Sequence, residues 1–324
     1  MGFFQKLFTL NRTKMIDEAA FFHKPVPLGK GILTFFLSFI IASLLSAFAQ
    51  SIPLLIYIFG KLGSPNASDE NALEEYMERL ESSLSSLPDW FVGVELFASV
   101  AFFAVALYQC KRREQRSIST MGIRKKDCVP EFLIGYAIGL TLFALPVLLA
   151  VSFGAAKLSL SSFRPIIILF FFGFLVEGFS KEAFARGYFM TSVARDYSPA
   201  IAVCVSSVAF SVFSSALSFD IIYLLNSILL GLLLGFYVFK RGSIIGASAI
   251  HAGFAFARKC IFGANNSSIF FLEKTEAKAA LGGGLSGIDS GLCLTLVLVL
   301  GIFLVLLTKT KDTELSEFEC PRAE

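Results

Sequence analysis

Long apolar segments recur along the whole chain, and this feature constrains the fold most strongly. A helix of roughly 18 residues or more can cross a hydrocarbon core of about 30 Å. The candidate spans are 31–59, 90–108, 132–153, 166–190, 200–219, 221–239, 243–262 and 291–307. A hydrophobic fraction of 55% and a charged fraction of 16% are typical of membrane proteins. We therefore predict an all-α fold, a polytopic membrane bundle of about eight transmembrane helices.

The distribution of Lys and Arg predicts the orientation of these spans. With alternating sides, one side receives 18 basic residues and the other receives 8, leaving out two within the fourth span. The richer side is expected to be cytoplasmic, so both termini are predicted to be cytoplasmic. We expect an integral protein of a bacterial-type cytoplasmic membrane with membrane lipid around it. The small net charge of +3 gives no reason to expect a nucleic-acid partner.

Cysteine and histidine usage predicts neither a metal site nor a cofactor. The six cysteines are scattered and form no C-x-x-C pair: Cys110, Cys128, Cys204, Cys260, Cys293 and Cys320. The two histidines, His23 and His251, are far apart in the sequence and have no ligand cluster beside them. We therefore expect no disulfide framework, no metal and no cofactor.

The fourth span carries four charged residues, which are costly inside a bilayer. Glu177 and Lys181 are four residues apart, as are Glu182 and Arg186, so two intrahelical ion pairs can neutralise them. A functional site at these residues is the alternative interpretation. His251 is the other acid–base group within a span, and a hydrogen-bonded core histidine is the plainer interpretation of it.

Three short segments follow one another along the chain: 181–187 reads Lys-Glu-Ala-Phe-Ala-Arg-Gly, 210–214 reads Phe-Ser-Val-Phe-Ser, and 251–255 reads His-Ala-Gly-Phe-Ala. Together they resemble the CPBP family, the CAAX-protease and bacteriocin-processing intramembrane peptidases related to type II CAAX prenyl endopeptidase. The family pattern is Glu-Glu-x-x-x-Arg-Gly, then Phe-x-x-x-His, then His-x-x-x-Asn or a variant. A Gly-rich segment at 230–243 precedes the third element, and 121–125 is similar to the family's cytoplasmic lead-in.

The resemblance implies a site in which three positions are retained and three are substituted. Glu182, Arg186 and His251 match the family pattern. Lys181, Ser214 and Ala255 stand where the family has its first Glu, its motif-two His and its Asn. In the family, the first Glu and that His are thought to activate water, while the later His and Asn stabilise the oxyanion. A protonated lysine cannot accept a proton from water, so the ordinary mechanism is expected to be absent.

Two other sets of residues could supply the catalytic groups of an active hydrolase. Glu177 could serve as the base if the register shifted, although one turn of about 5.4 Å is too far for a preserved site. Lys181 and Ser214 could act as a Ser–Lys pair, although the neighbouring carboxylates would keep the lysine charged.

An active endopeptidase that uses either the Lys181–Ser214 pair or Glu182 and His251 is the second candidate function. A small-solute transporter is the third, but it predicts inverted repeats, which the sequence lacks.

The leading expectation is therefore a catalytically degenerate member that binds a transmembrane or lipidated peptide, or a partner protein. The expected segments are a cytoplasmic N-terminal segment 1–30, two helices over 31–119 with an acidic outer loop 61–89, a CPBP-like core 120–262, an outer loop 263–290, a last helix 291–308 and a cytoplasmic tail 309–324. Loop 61–89 is expected to contain a short surface helix rather than a partner-docking helix. The Gly-rich loop 263–290 is expected to be flexible.

Overall fold

The structure is a computed structural model, and it describes residues 10, 13–20, 26–63, 70–124, 127–161, 164–214, 220–263, 268–276 and 278–310. His23, Cys320 and most of the predicted tail lie outside these residues. The backbone of Ser214 is described as the end of a helix, but its side chain is not.

The described residues are mostly helical. The first half of the chain contains α1 (Lys14–Ala20), α2 (Leu28–Leu62), α3 (Glu70–Ser85), α4 (Asp89–Ala98), α5 (Val100–Tyr108), a π-helix (Gln109–Arg113), a 3-10 helix (Ile118–Met121), α6 (Cys128–Ser152) and β1 (Ala156–Leu160).

The second half contains the segments that resemble protease motifs. Its elements are α7 (Ile166–Glu182), a second π-helix (Ala183–Met190), α8 (Thr191–Asp196), α9 (Pro199–Ser214), α10 (Ile221–Arg241), α11 (Ile245–Phe256), a third π-helix (Ala257–Ile261), β2 (Phe270–Lys274), α12 (Ala279–Gly282), two 3-10 turns (Gly284–Ser286 and Ile288–Ser290) and α13 (Leu292–Leu307).

Every segment predicted as a span is helical over most of its length. In the described part of the chain, four helical stretches are long and apolar enough to cross a membrane: Leu28–Leu62, Asp89–Arg113, Cys128–Ser152 and Ile221–Arg241. Two further apolar helices, Pro199–Val212 and Leu292–Leu307, are shorter. Large apolar side chains of α2 are exposed, as expected for a surface in contact with lipid: Leu37, Ile40, Leu44, Phe48 and Ile52. The count of eight spans and the sidedness of the termini stay predictions.

The described parts of the segment predicted to be a flexible loop, 268–276 and 278–290, are more ordered than expected. Its strand β2 pairs antiparallel with β1, with Leu158 opposite Leu272. Gly283, Gly284 and Gly287 have positive φ and form tight turns rather than a loose linker. Among the described residues, this small sheet is also the one departure from an all-α fold. The acidic segment contains a surface helix, as expected, and this is α3.

Close helix contacts at glycines position α11 in the middle of the bundle. A Cβ atom on Gly135 of α6 would lie 2.5 Å from the carbonyl oxygen of Gly246, and one on Gly178 of α7 would lie 2.8 Å from that of Ser248. Neither space can accept a side chain, so both helices approach the α11 backbone. Gly231 and Gly235 of α10 also allow close packing, in their case against α9 at Ser207 and Val203. Gly242 ends α10 with a φ of 65°.

Candidate functional site

The first charged pair of the fourth span lies near the end of α7. The Lys181 ammonium lies 2.6 Å from a carboxylate oxygen of Glu177, and both side chains are partly buried. This is the intrahelical ion pair expected from the sequence. The Glu177 carboxylate thus neutralises the ammonium of Lys181, the lysine that stands in the position of the family's first Glu.

The second pair is completely buried. Arg186 NH1 donates to Glu182 Oε1 over 2.9 Å, and the side chains are 1% and 0% exposed. Arg186 NH2 also donates to the carbonyl oxygen of Gly231 on α10 over 2.9 Å. The guanidinium lies 5.6 Å from the centre of the Phe210 ring on α9. Arg186 therefore ties the charged segment to two neighbouring helices.

His251 of α11 joins the buried pair. Its Nδ1 lies 2.8 Å from Glu182 Oε1, the same oxygen that accepts from Arg186. Gly178 precedes Glu182 by one turn, and Ser248 precedes His251 by three residues, so the α7–α11 contact brings the two groups together. The other carboxylate oxygen of Glu182 is buried and has no hydrogen-bond partner among the described residues. A carboxylate that accepts from Nδ1–H leaves Nε2 as the acceptor nitrogen of a neutral imidazole.

A cavity of about 290 Å³ opens onto this group. Lys181, Glu182, Arg186 and His251 contribute to its wall, and so does Ala255. These five sequence-predicted site residues therefore lie around one space. A methyl group at Ala255 provides no hydrogen-bond donor to this wall. Glu177 is not among the residues that line the cavity, and its carboxylate contacts Lys181.

The structure also places around the cavity several residues that the sequence analysis did not single out. Asn226, 3% exposed, lies on α10 and donates to the carbonyl oxygens of Asp289 and Gly291 over 2.8 and 3.2 Å. Arg258 lies 3.8 Å from a carboxylate oxygen of Asp289. The sequence signal for Asn226 is a lone amide inside an apolar span, and that for Arg258 is a basic residue near the end of the span 243–262. The segment predicted to be a flexible loop thus forms part of the wall.

Asp220 fixes the start of α10 beside the cavity. Its carboxylate accepts from the backbone N–H groups of Ile222 and Tyr223 over 2.9 and 3.0 Å. The bond from the Tyr223 N–H is the main cause that lowers the pKa of Asp220 below its ordinary value. Tyr223 and Asn226 therefore enter the cavity wall from a capped helix.

The described residues contain no group of three or more His, Cys, Asp or Glu side chains that could hold a metal ion. Ser211, which is 3% exposed, lines the cavity one turn before Ser214. The position of the Ser214 hydroxyl relative to Lys181 lies outside what the structure describes, so the Ser–Lys pair stays a hypothesis.

A protein-family model described as Rce1-like, type II CAAX prenyl endopeptidase Rce1-like, matches residues 163–257. That range contains all three motif segments and covers less than half of the chain, and it confirms the predicted resemblance. No curated protein and no solved structure gives a significant match. The family match and the apolar helices indicate a membrane protein that is similar to CAAX proteases.

Proposed function

We propose that this protein binds a transmembrane or lipidated peptide in the 290 Å³ cavity and does not cleave it by the glutamate/histidine mechanism of the similar proteases. The observation that carries the proposal is the 2.6 Å ion pair between Lys181 and Glu177. An ammonium group stands where the similar proteases have the carboxylate that activates water. It cannot accept a proton while Glu177 holds its charge.

The retained residues are suited to a structural role in such a site. Arg186 neutralises Glu182, and Glu182 orients His251, so the buried charges pair with one another without a substrate. Hydrogen bonds of Glu182, Arg186 and His251 also connect three helices. Glu182 at the end of α7 bonds to His251 of α11, and Arg186 bonds to the carbonyl oxygen of Gly231 on α10. Retaining them keeps the cavity in shape even where the water-activating pair is lost.

The cavity wall combines the two kinds of group that a membrane peptide requires. Phe210, Phe254 and Leu294 provide apolar contacts, while Arg258 and Asp289 provide a polar pair. An extended peptide segment has backbone N–H and C=O groups that need partners once they leave water. Ligand cavities of this kind are largely apolar with a few polar groups that fix orientation.

Photo-crosslinking in lipid nanodiscs tests the binding step. The probes are a farnesylated C-terminal peptide and an unmodified transmembrane peptide, each carrying a diazirine, with cross-links located by mass spectrometry. Ser227 lines the cavity from α10, so Ser227→Trp is expected to occlude it. Labelling should fall about tenfold or more, equivalent to about 1.4 kcal/mol of binding free energy.

Leu225→Trp is the matched control, because Leu225 is 44% exposed on the same helix and does not line the cavity. It should label like the natural protein. Equal labelling of the natural protein and Ser227→Trp, or cross-links only on the lipid-facing surface, would rule out the cavity as the peptide site.

An active hydrolase is the second candidate, and one observation favours it. His251 Nδ1 lies 2.8 Å from Glu182, so Nε2 of this cavity-lining residue is free to act as a general base. In that case His251→Ala would lower cleavage of the same peptides by at least about 100-fold, the usual scale of a general base. Absence of cleavage in the natural protein under conditions where cross-linking proceeds would exclude this candidate.

A further inference from the structure

A second cavity, of about 320 Å³, has three basic side chains in its wall: Lys30, Arg113 and Arg195. We call it the basic-end cavity. Its wall is formed by the start of α2, the π-helix Gln109–Arg113 and helix α8. None of its lining residues lines the 290 Å³ cavity.

Two cations stand at the rim of the basic-end cavity. Lys30 and Arg113 both line it and both are exposed. Within the described part of the chain, neither side chain forms an ion pair with a carboxylate. Arg195, deeper in the wall, differs because it lies 3.6 Å from Glu114 and 3.6 Å from Asp196. The rim therefore carries two positive charges, while the rest of the wall carries one positive charge, Arg195, and two negative ones, Glu114 and Asp196.

The inner wall contains a hydrogen-bond acceptor that is left over. Gln109 is buried, and its Nε2 donates to Ser38 Oγ over 2.6 Å. The Ser38 hydroxyl donates to the carbonyl of Thr34 over 2.7 Å, so it accepts from Gln109, and this bond favours the amide orientation in which Nε2 faces Ser38. Gln109 Oε1 then has no hydrogen-bond partner among the described residues. A buried unpaired acceptor is costly, and a ligand donor would satisfy it.

Exposed apolar residues of α2 lie beside the rim and indicate what kind of ligand the cavity would take. Leu33 and Leu37 of α2 are 58% and 54% exposed and begin one turn beyond Lys30. They form an apolar surface on which an acyl chain can lie beside the rim. A Cβ atom added to Gly31, which lines the cavity, meets nothing within 4 Å, so there is open space at this position.

We propose that the basic-end cavity binds the headgroup of a membrane phospholipid. The phosphate lies between Lys30 and Arg113, and a headgroup donor, an ethanolamine ammonium or a glycerol hydroxyl, reaches Gln109 Oε1. Basic residues beside a membrane favour phosphate groups electrostatically. A choline headgroup has no hydrogen-bond donor, so the site discriminates against it. This inference does not depend on the peptide-binding proposal.

Native mass spectrometry of the delipidated protein in detergent tests the proposal by titration with short-chain phospholipids. Phosphatidylethanolamine or phosphatidylglycerol is expected to bind about tenfold more tightly than phosphatidylcholine, as one satisfied buried acceptor implies. Lys30→Gln/Arg113→Gln should weaken binding of the preferred lipid roughly 30-fold, which corresponds to about 1 kcal/mol per basic residue. Lys111→Gln/Arg112→Gln removes the same charge from neighbouring exposed residues that do not line the cavity, and it should change the affinity less than about threefold.

A second pair of variants separates cavity occupation from charge. Gly31→Trp fills the space without changing the charge of the protein and should abolish lipid binding. Gly29 is also in open space but does not line the cavity, so Gly29→Trp should leave lipid binding unchanged. Unchanged affinity in both the charge variant and Gly31→Trp would overturn the proposal. Equal binding of phosphatidylcholine would overturn the role of Gln109. Full displacement of the lipid by millimolar inorganic phosphate would assign the rim to a soluble phosphate and overturn the lipid source.

Discussion

Replacing Arg186 by Met tests how the buried charges are held. The change removes the 2.9 Å bond to Glu182 and the 2.9 Å bond to the Gly231 carbonyl while keeping most of the side-chain volume. Glu182 is 0% exposed and would keep only His251 as a partner. Breaking one side of a buried ion pair costs about 3–5 kcal/mol, because the other charge stays buried. We therefore expect a loss of about 3–5 kcal/mol in the free energy of unfolding.

The neighbouring pair on the same segment provides a matched control. Lys181 and Glu177 are also four residues apart, but their side chains are 28% and 17% exposed. Lys181→Met should therefore cost clearly less, about 1 kcal/mol, since water and lipid headgroups can screen the remaining carboxylate. The double variant Glu182→Gln/Arg186→Met removes both buried charges and should recover part of the loss.

Unfolding in mixed micelles, followed by circular dichroism against denaturant mole fraction, measures these differences. Equal destabilisation by Arg186→Met and Lys181→Met would refute the reasoning, because burial would then not decide the cost. Full stability of Arg186→Met would refute it more directly. A double variant that is less stable than Arg186→Met would show that the packing of the side chains, rather than their charge, dominates.

Three further changes have expected outcomes. Gly178→Ala places a Cβ 2.8 Å from the carbonyl oxygen of Ser248, so it should lower the free energy of unfolding, measured by thermal unfolding, by about 1–3 kcal/mol. Gly60→Ala is the control, because Gly60 is in open space and the change should not lower that free energy. Asp220 has a lowered pKa, so its contribution to the free energy of unfolding is present above the unfolded pKa and is lost as pH falls through the folded pKa. When the free energy of unfolding is measured over a series of acidic pH values, it should therefore fall less steeply in Asp220→Asn than in the natural protein. Arg116→Met removes a buried donor from the carbonyls of Gly187 and Tyr188, of which the second keeps the Ser192 hydroxyl, and should cost about 2 kcal/mol or more in denaturant unfolding.

Much of the fold could be predicted from the sequence because helical spans are marked by long apolar runs. The two ion pairs could also be predicted, since four-residue spacing on a helix places the partners together. The order of segments 181–187, 210–214 and 251–255 identified the residues that could converge, and 181, 182, 186, 251 and 255 do surround one cavity. Local spacing and motif order carry this kind of information.

The remaining features depend on contacts between distant segments. No local pattern indicates that Asn226 of α10 bonds to the 288–291 turn, or that β1 pairs with β2 across more than a hundred residues. Gly135 of α6 was not singled out, because a glycine in a span is common and only its contact with Gly246 gives it a role. The shared acceptor oxygen of Glu182 likewise follows from the α7–α11 crossing rather than from spacing.

The measurement that tests the central claim most directly is proteolysis of lipidated and transmembrane peptides by the purified protein in lipid. The natural protein and Lys181→Glu/Ser214→His are assayed together, with Lys157→Glu/Ser159→His on exposed β1 positions as the matched control. We expect no cleavage by the natural protein or the control, and cleavage by the variant that restores both water-activating positions. Cleavage by the natural protein that is lost in Glu182→Ala would contradict the account, because the retained residues would then carry a different mechanism.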